Sequence, residues 1–263
     1  GLKMAEFSKV GALIKQSTRD DNCTIHGPFI ANGYNLAGKV RWMACPECEK
    51  MRIDEDAVRQ DEQRAGNEQR RIEQQLSRAG IPLRYRGKDF ASYIADTDGK
   101  EKARSTAMEF ANNFAEHHRN GTVVVFSGQP GTGKSHLAIA IAQHVMQSGT
   151  ALYTSAIDAV RMIRDTWRRD SEQTERQVLH MLATIDILVL DEVGVQYGTE
   201  AEQVTLFDII DKRYRDLMPT ILLTNLNKGG MKTFLGDRSF DRLREGGIWV
   251  TFDWASQRSG VSA

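Results

Sequence analysis

Residues 127–138 read SGQPGTGKSHLA, and this stretch constrains the fold more than any other feature of the chain. The run TVVVF precedes it and LAIAIA follows it. β-Branched residues ahead of a glycine-rich turn predict a strand, and the alanine-rich run behind it predicts a helix. Strand, glycine loop and helix in that order belong to a parallel α/β sheet. Gly128, Gln129, Pro130, Gly131, Thr132, Gly133, Lys134 and Ser135 fill the GxxxxGK[ST] pattern of a phosphate-cradling loop. The glycines of such a loop let backbone N–H groups close around phosphate oxygens at a helix N-terminus. The pattern predicts that ATP binds here, with Lys134 on the β- and γ-phosphates and Ser135 on a magnesium ion. His136 is next to the phosphates by position and joins the candidate nucleotide contacts.

From about residue 98 onward, strand-like runs (TVVVFSG, ALYTS, IDILVLDE, TILLTN and IWVTF) alternate with helical patterns. That alternation predicts a parallel five-stranded sheet covered on both faces. The apolar run ILVL ends in Asp191 and Glu192, so a buried strand delivers two carboxylates to one sheet edge. Asp191 suits the second shell of the magnesium ion, and Glu192 suits a general base for the attacking water. LLTN brings Asn225 to the end of a further strand, where an amide can hold that water or sense the γ-phosphate. ALYTS lies in the chain between the two motif strands, which leaves room for an extra strand between them in the sheet. With the adjacent Asp–Glu pair, this favours an ATP-hydrolysing switch or motor over a simple nucleotide kinase.

Ahead of this region lies a different composition. Cys23 and His26 are spaced CxxH, and Cys45 and Cys48 are spaced CxxC. Three thiolates and one imidazole make a closed tetrahedral zinc site and use every cysteine of the chain. A segment this poor in apolar residues needs a metal to fold. Phe7, Val10, Leu13 and Ile14 share one face of a short amphipathic helix before it. The stretch from Glu49 to Arg78 is rich in both signs of charge and reads as a solvated helix or linker, ended by Gly80 and Pro82. The expected division is an N-terminal helix and zinc region (1–50), a charged helical linker (51–80) and an ATPase domain (81–263). Lys+Arg and Asp+Glu are both 35, so any nucleic-acid contact must come from a local basic patch. No apolar run is long enough to span a membrane, GLKMAEFSKV lacks a secretory apolar stretch, and reduced cysteines fit the cytoplasm.

FSGQPGTGKSHLAIAIA, DILVLDEVGVQ, LLTNLN, LGDRSFDRLR and WVTFDW together resemble the AAA+ replicative-helicase loaders of the DnaC/DnaI type, over roughly residues 80–258. The resemblance implies an AAA+ core with a truncated lid, ATP-dependent self-assembly, and delivery of a hexameric replicative helicase onto single-stranded DNA. It implies that Asn225 is sensor 1, Arg242 the arginine finger that reaches a neighbour's ATP, and Arg258 a sensor 2 residue. Arg238 and Arg244 compete for the finger role. The segment AIDAVRMIRDTWRRD occupies the place of a family helix that touches single-stranded DNA. Its Arg161, Arg164, Arg168 and Arg169 suit phosphates and Trp167 suits base stacking. The competing reading is a solvated basic helix with Trp167 in the core. The zinc region resembles the DnaI branch, in which it mediates or regulates helicase contact; Lys39, Arg41 and Trp42 are its own nucleic-acid candidates. Two rivals stand beside this reading: an IstB-like transposition ATPase that binds duplex DNA and a transposase, and a zinc-dependent adaptor with a vestigial ATPase.

Overall fold

The computed structural model describes residues 16–36, 39–195 and 200–256. The chain divides into two compact units, Gly1–Arg71 and Ile72–Ala263. The expected helix on Phe7, Val10, Leu13 and Ile14 and the sensor 2 candidate Arg258 lie outside the described residues.

The first unit holds a three-stranded antiparallel sheet, β1 (Gln16–Cys23), β2 (Gly27–Leu36) and β3 (Lys39–Trp42), in the order β1-β2-β3. Cys23 pairs with Gly27, so β1 and β2 form a tight hairpin whose turn carries His26. Ala31 is buried, and the Arg19 guanidinium stacks 4.5 Å from the Trp42 ring centroid. Cys45 precedes helix α1 (Pro46–Arg78), which runs across the division between the units. Proline suits the first helical position, where its missing N–H has no partner to lose. The helix therefore begins earlier than the charge pattern alone predicts and takes Cys48 into its first turn. The charged stretch is largely exposed, as expected of a solvated helix. Near its end, within the second unit, Leu76 is buried in a cluster with Ala79 and Ile81, just past the helix, and Ile139.

The second unit is a five-stranded parallel sheet flanked by helices. Its elements are α2 (Asp98–Asn112), α3 (Phe114–Asn120), β4 (Val123–Gly128), α4 (Lys134–Val145), β5 (Ala151–Ser155), α5 (Ala156–Asp165), α6 (Glu175–Thr184), β6 (Ile187–Val193), α7 (Glu200–Arg215), β7 (Thr220–Thr224), α8 (Lys228–Arg244) and β8 (Ile248–Phe252). The strand order is β5-β6-β7-β4-β8, with every neighbouring pair parallel. Leu188, Leu190 and Leu222 face the layer of α5, α6, α7 and α8, whereas Ile187, Val189, Ile221 and Leu223 face α2 and α4. Strands covered on both faces read as continuous apolar runs, and for that reason these five were visible in the sequence.

An extra strand does separate the two motif strands β4 and β6, as expected, but it is β7 (TILLT). ALYTS, the strand between them in the chain, lies at the sheet edge as β5. Crossover connections free sheet order from chain order. A second correction concerns the basic segment. Helix α5 ends at Asp165, so Trp167, Arg168 and Arg169 lie in the turn beyond it, and α6 intervenes before β6. Helix α6 starts afresh on a capping box formed by Thr174 and Gln177. Arg213 of α7 is fully buried and donates to Leu182 O, Ile185 O, Pro219 O and Thr220 Oγ1, which ties the end of α6 to the strands beside it. Among the described residues no helix is long and apolar enough to cross a membrane.

Candidate nucleotide and metal sites

Strand β4 delivers the glycine loop to the carboxyl end of the sheet, and α4 begins at Lys134. Gly128 has φ 154°, and a Cβ there would collide with the Phe252 carbonyl, so the loop can leave the strand only through glycine. Thr132 is fully buried; its hydroxyl donates to Gln129 O (2.8 Å), and Trp254 Nε1 donates to Thr132 O (2.8 Å). These bonds fix the loop from both sides. The Lys134 ammonium donates to Gly128 O (2.5 Å), Gln129 O (2.9 Å) and Asn225 Oδ1 (3.0 Å). Asn225, at the end of β7, thus meets the loop lysine directly.

Asp191 Oδ2 accepts from Ser135 Oγ (3.0 Å) and from the Tyr153 hydroxyl, and Asp191 Oδ1 accepts from the Glu192 amide (2.7 Å). Burial, and then the charge of Asp191, push the Tyr153 hydroxyl well above the usual phenol range, so it stays a donor. Between Leu190 and Val193 the register against β7 slips by one residue, a β-bulge centred on the Asp191–Glu192 pair. Within it Glu192 takes φ 60°, a left-handed conformation that costs a glutamate energy. The bulge leaves Asp191 half-buried and Glu192 exposed at the cleft mouth.

Lys134, Ser135, Asp191, Glu192 and Asn225 line one cleft of about 1040 Å³, large enough for a nucleoside triphosphate. Arg84, Tyr85 and Lys88 line it too. Sequence reasoning missed these three and Tyr153, because nothing in the stretch IPLRYRGKDF signals that it folds over the cleft. The stretch is pinned to α4: Gln143 Nε2 donates to Tyr85 O and Arg86 O, and His136 Nε2–H donates to Asp89 O (2.8 Å). His136 therefore lines the cleft while its Nε2 is turned to Asp89 and Ser92, and burial holds it below the ordinary histidine range. Ser135 and Asp191 form an oxygen-donor pair that fits magnesium.

The finger candidates sit on the second half of α8, beyond a kink at Gly236. Arg242 pairs with Asp211 of α7, and its guanidinium lies 5.4 Å from the Tyr214 ring centroid. Arg238 and Arg244 are exposed. In the basic segment, Arg161 pairs with Asp158 (3.0 Å), Arg164 with Glu202, and Arg168 lies 3.9 Å from Asp165. Arg169 is exposed. Trp167 is 64% exposed, with Nε1 donating to Glu175 Oε2 (2.8 Å), which removes the reading that puts this ring in the core.

In the first unit, one ligand atom each from Cys23, His26, Cys45 and Cys48 lies within 4.8 Å of the others. Cys23 closes β1, His26 sits in the hairpin turn, Cys45 precedes α1, and Cys48 is in its first turn. Cys23 Sγ is 3.5 Å from Cys48 Sγ and 3.8 Å from His26 Nδ1; that Nδ1 is 3.3 Å from Cys48 Sγ and 3.7 Å from Cys45 Sγ. A zinc tetrahedron with bonds of about 2.0–2.3 Å has ligand–ligand edges of roughly 3.5–3.8 Å, so the four atoms fit the ion. Backbone hydrogen bonds from His26 and Ile25 bring the Cys23 thiol down to about 6. The hydrogen bond to Cys23 pushes the neighbouring Cys48 thiol up to about 11. Thiolates this close repel one another without a cation, and zinc would supply that charge and cross-link hairpin to helix.

Residues 52–243 match the family model described as IstB-like ATP binding protein. The chain belongs to the IstB/DnaC family of AAA+ ATPases. It is 36% identical over 217 residues to the uncharacterized protein YdaV of Escherichia coli (strain K12), covering 82% of this chain and 86% of that protein. It is 35% identical over 211 residues to the replicative helicase loader DnaC of the same organism, covering 80% and 84%. The crystal structure of the DnaC helicase loader superposes with a TM-score of 0.58 at 22% identity, over 65% of this chain and 99% of that one. The family match contains the phosphate loop, Asp191, Glu192, Asn225 and Arg242, whereas the Cys/His cluster precedes residue 52.

Proposed function

We propose that this chain is an ATP-hydrolysing switch that binds a replicative DNA helicase and delivers it onto single-stranded DNA. One observation carries the reading: Lys134, Ser135, Asp191, Glu192 and Asn225 converge on a single cleft in a chain with relatives named replicative helicase loader DnaC. Lys134 neutralises phosphate charge and is already joined to Asn225, so the γ-phosphate is sensed where the lysine and amide meet. Ser135 and Asp191 would hold the magnesium ion, which spreads charge developing on the phosphate oxygens. Glu192 stands exposed at the cleft mouth, where it takes the proton of the attacking water. Arg242 serves a neighbour's site, so hydrolysis follows assembly.

Helicase docking is assigned to the first unit. Ile30 on β2 and Val40 on β3 are exposed on opposite faces of its sheet, Ile25 is exposed in the hairpin turn, and Met43 is exposed just past β3. The exposed Trp167 ring would stack on a DNA base, and Arg161, Arg164, Arg168 and Arg169 of the same segment would meet its phosphates.

The test is co-purification with replicative helicases, joined to oligonucleotide anisotropy in ATP and in ADP across a salt series. Single-strand binding that needs ATP, exceeds duplex binding and weakens in Trp167→Ala supports the reading. Equal single-strand affinity in both nucleotides overturns the DNA assignment. The match to the IstB-like model favours one second reading, a transposition helper, and preference for duplex DNA with capture of a transposase selects it.

A further inference from the structure

The donor on Asp191 that no sequence motif accounts for is Tyr153. Its hydroxyl reaches from the edge strand β5 to Asp191 Oδ2, on the neighbouring strand β6. The ring is held in place from outside the sheet. Tyr153 N–H donates to Ala79 O (2.8 Å), and Gly80 (φ 69°) packs so closely on the Tyr153 carbonyl that a Cβ there would collide with it. The side chain lies against the cluster of Leu76, Ala79, Ile81 and Ile139. Backbone and ring are thus both held where the hydroxyl meets the carboxylate.

We infer that Tyr153 is a positioning residue for Asp191: its hydroxyl fixes the plane of the carboxylate and so sets how readily the cleft takes a divalent cation. The inference rests on the ATP reading above. Asp191 Oδ1 is held by the adjacent amide, but that amide moves with the same backbone and restrains the terminal torsion weakly. Terminal carboxylate torsions are intrinsically broad. Ser135 reaches the same Oδ2 at 3.0 Å from a mobile hydroxyl rotor. Tyr153 adds a rigid donor from an independent strand.

The experiment is a magnesium titration of full-length protein, read as anisotropy of a fluorescent ATP analogue. In Tyr153→Phe, analogue affinity in EDTA should match the parent, while the magnesium concentration for half-maximal tightening should rise roughly fivefold, the worth of one ordinary hydrogen bond. In an Asp191→Asn background, Tyr153→Phe should add no further shift, which a ring acting only in packing would not predict. Gly80→Ala, with the hydroxyl intact but its strand displaced, should raise the midpoint as well. An unchanged or lowered midpoint in Tyr153→Phe, beside a parent that tightens with magnesium, overturns the inference alone. So does equal weakening in EDTA and in magnesium. A parent whose nucleotide affinity ignores magnesium overturns the ATP reading and the inference with it.

Discussion

Glu192 gives the sharpest test of the geometry, because its backbone and its carboxylate can be separated. At φ 60° a residue with a Cβ pays about 1–2 kcal/mol that glycine does not. Elsewhere in a strand, glycine is the worse residue, by about 0.5–1 kcal/mol relative to alanine. The two terms oppose each other, and at Glu192 the first wins. Glu192→Gly should be more stable than Glu192→Ala by about 0.5–1 kcal/mol, an inversion of the usual order. The side chain is exposed, so little packing is lost in either variant and the difference reads the backbone. For a unit of this size the gap corresponds to roughly 2 °C in melting temperature. Urea midpoints of parent, Glu192→Gln, Glu192→Ala and Glu192→Gly measure it directly. Gln should match the parent in stability and bind ATP while barely hydrolysing it, and Gly should lose hydrolysis while gaining stability. An alanine variant as stable as glycine, or more so, would refute the claim that the bulge holds this residue under strain.

The remaining predictions are briefer. Protein purified without chelator should carry about one zinc per chain by metal analysis, and Cys45→Ser should lose the metal and unfold the first unit while ATP binding persists. Arg242→Ala should bind ATP yet lose assembly-dependent hydrolysis by roughly 10³–10⁵; normal hydrolysis there, with loss in Arg238→Ala or Arg244→Ala, reassigns the finger. Burial holds His117 below the usual histidine range, where its Nδ1 lies 3.1 Å from Thr122 Oγ1 and its ring stacks on Phe110. A base with a lowered folded pKa favours the fold while neutral, so its contribution is present above about pH 6.5 and lost as pH falls below that. Melting temperatures at pH 7.5 and 5.5 should differ less in His117→Gln than in the parent.

The sheet and its loop were legible because their signals are local. Val123 to Phe126 and Ile187 to Leu190 are apolar throughout, since both faces of their strands are covered. Lys134 and Ser135 follow from loop spacing, and Asp191 and Glu192 from a carboxylate pair at a strand end. What was missed depends on distant partners. Strand β1, QSTRDDNC, has no apolar alternation and is held by pairing to β2 and by Arg19 on Trp42. Tyr153 meets Asp191 only because β5 and β6 are neighbours in a particular register, which no window of sequence contains. Trp167 is exposed because α5 stops at Asp165, and helical periodicity alone does not mark that stop. The stretch that carries Arg84 and Tyr85 is held at the cleft by bonds from Gln143, far along the chain, to Tyr85 O and Arg86 O.

The contact between Ala79 and Tyr153 also bears on how copies of this chain can join. Strand β5 is a sheet edge, and an open edge recruits further strands, whether from a partner or from an aggregating neighbour. Here the outward amide at the middle of that edge is already taken by the residue just past α1. The seal is made by chain rather than by charge, and it comes directly after the last residue of α1. A further strand approaching β5 therefore meets an edge whose central outward amide is already paired. If that helix end were drawn away, the protein would uncover a sticky strand next to its nucleotide cleft.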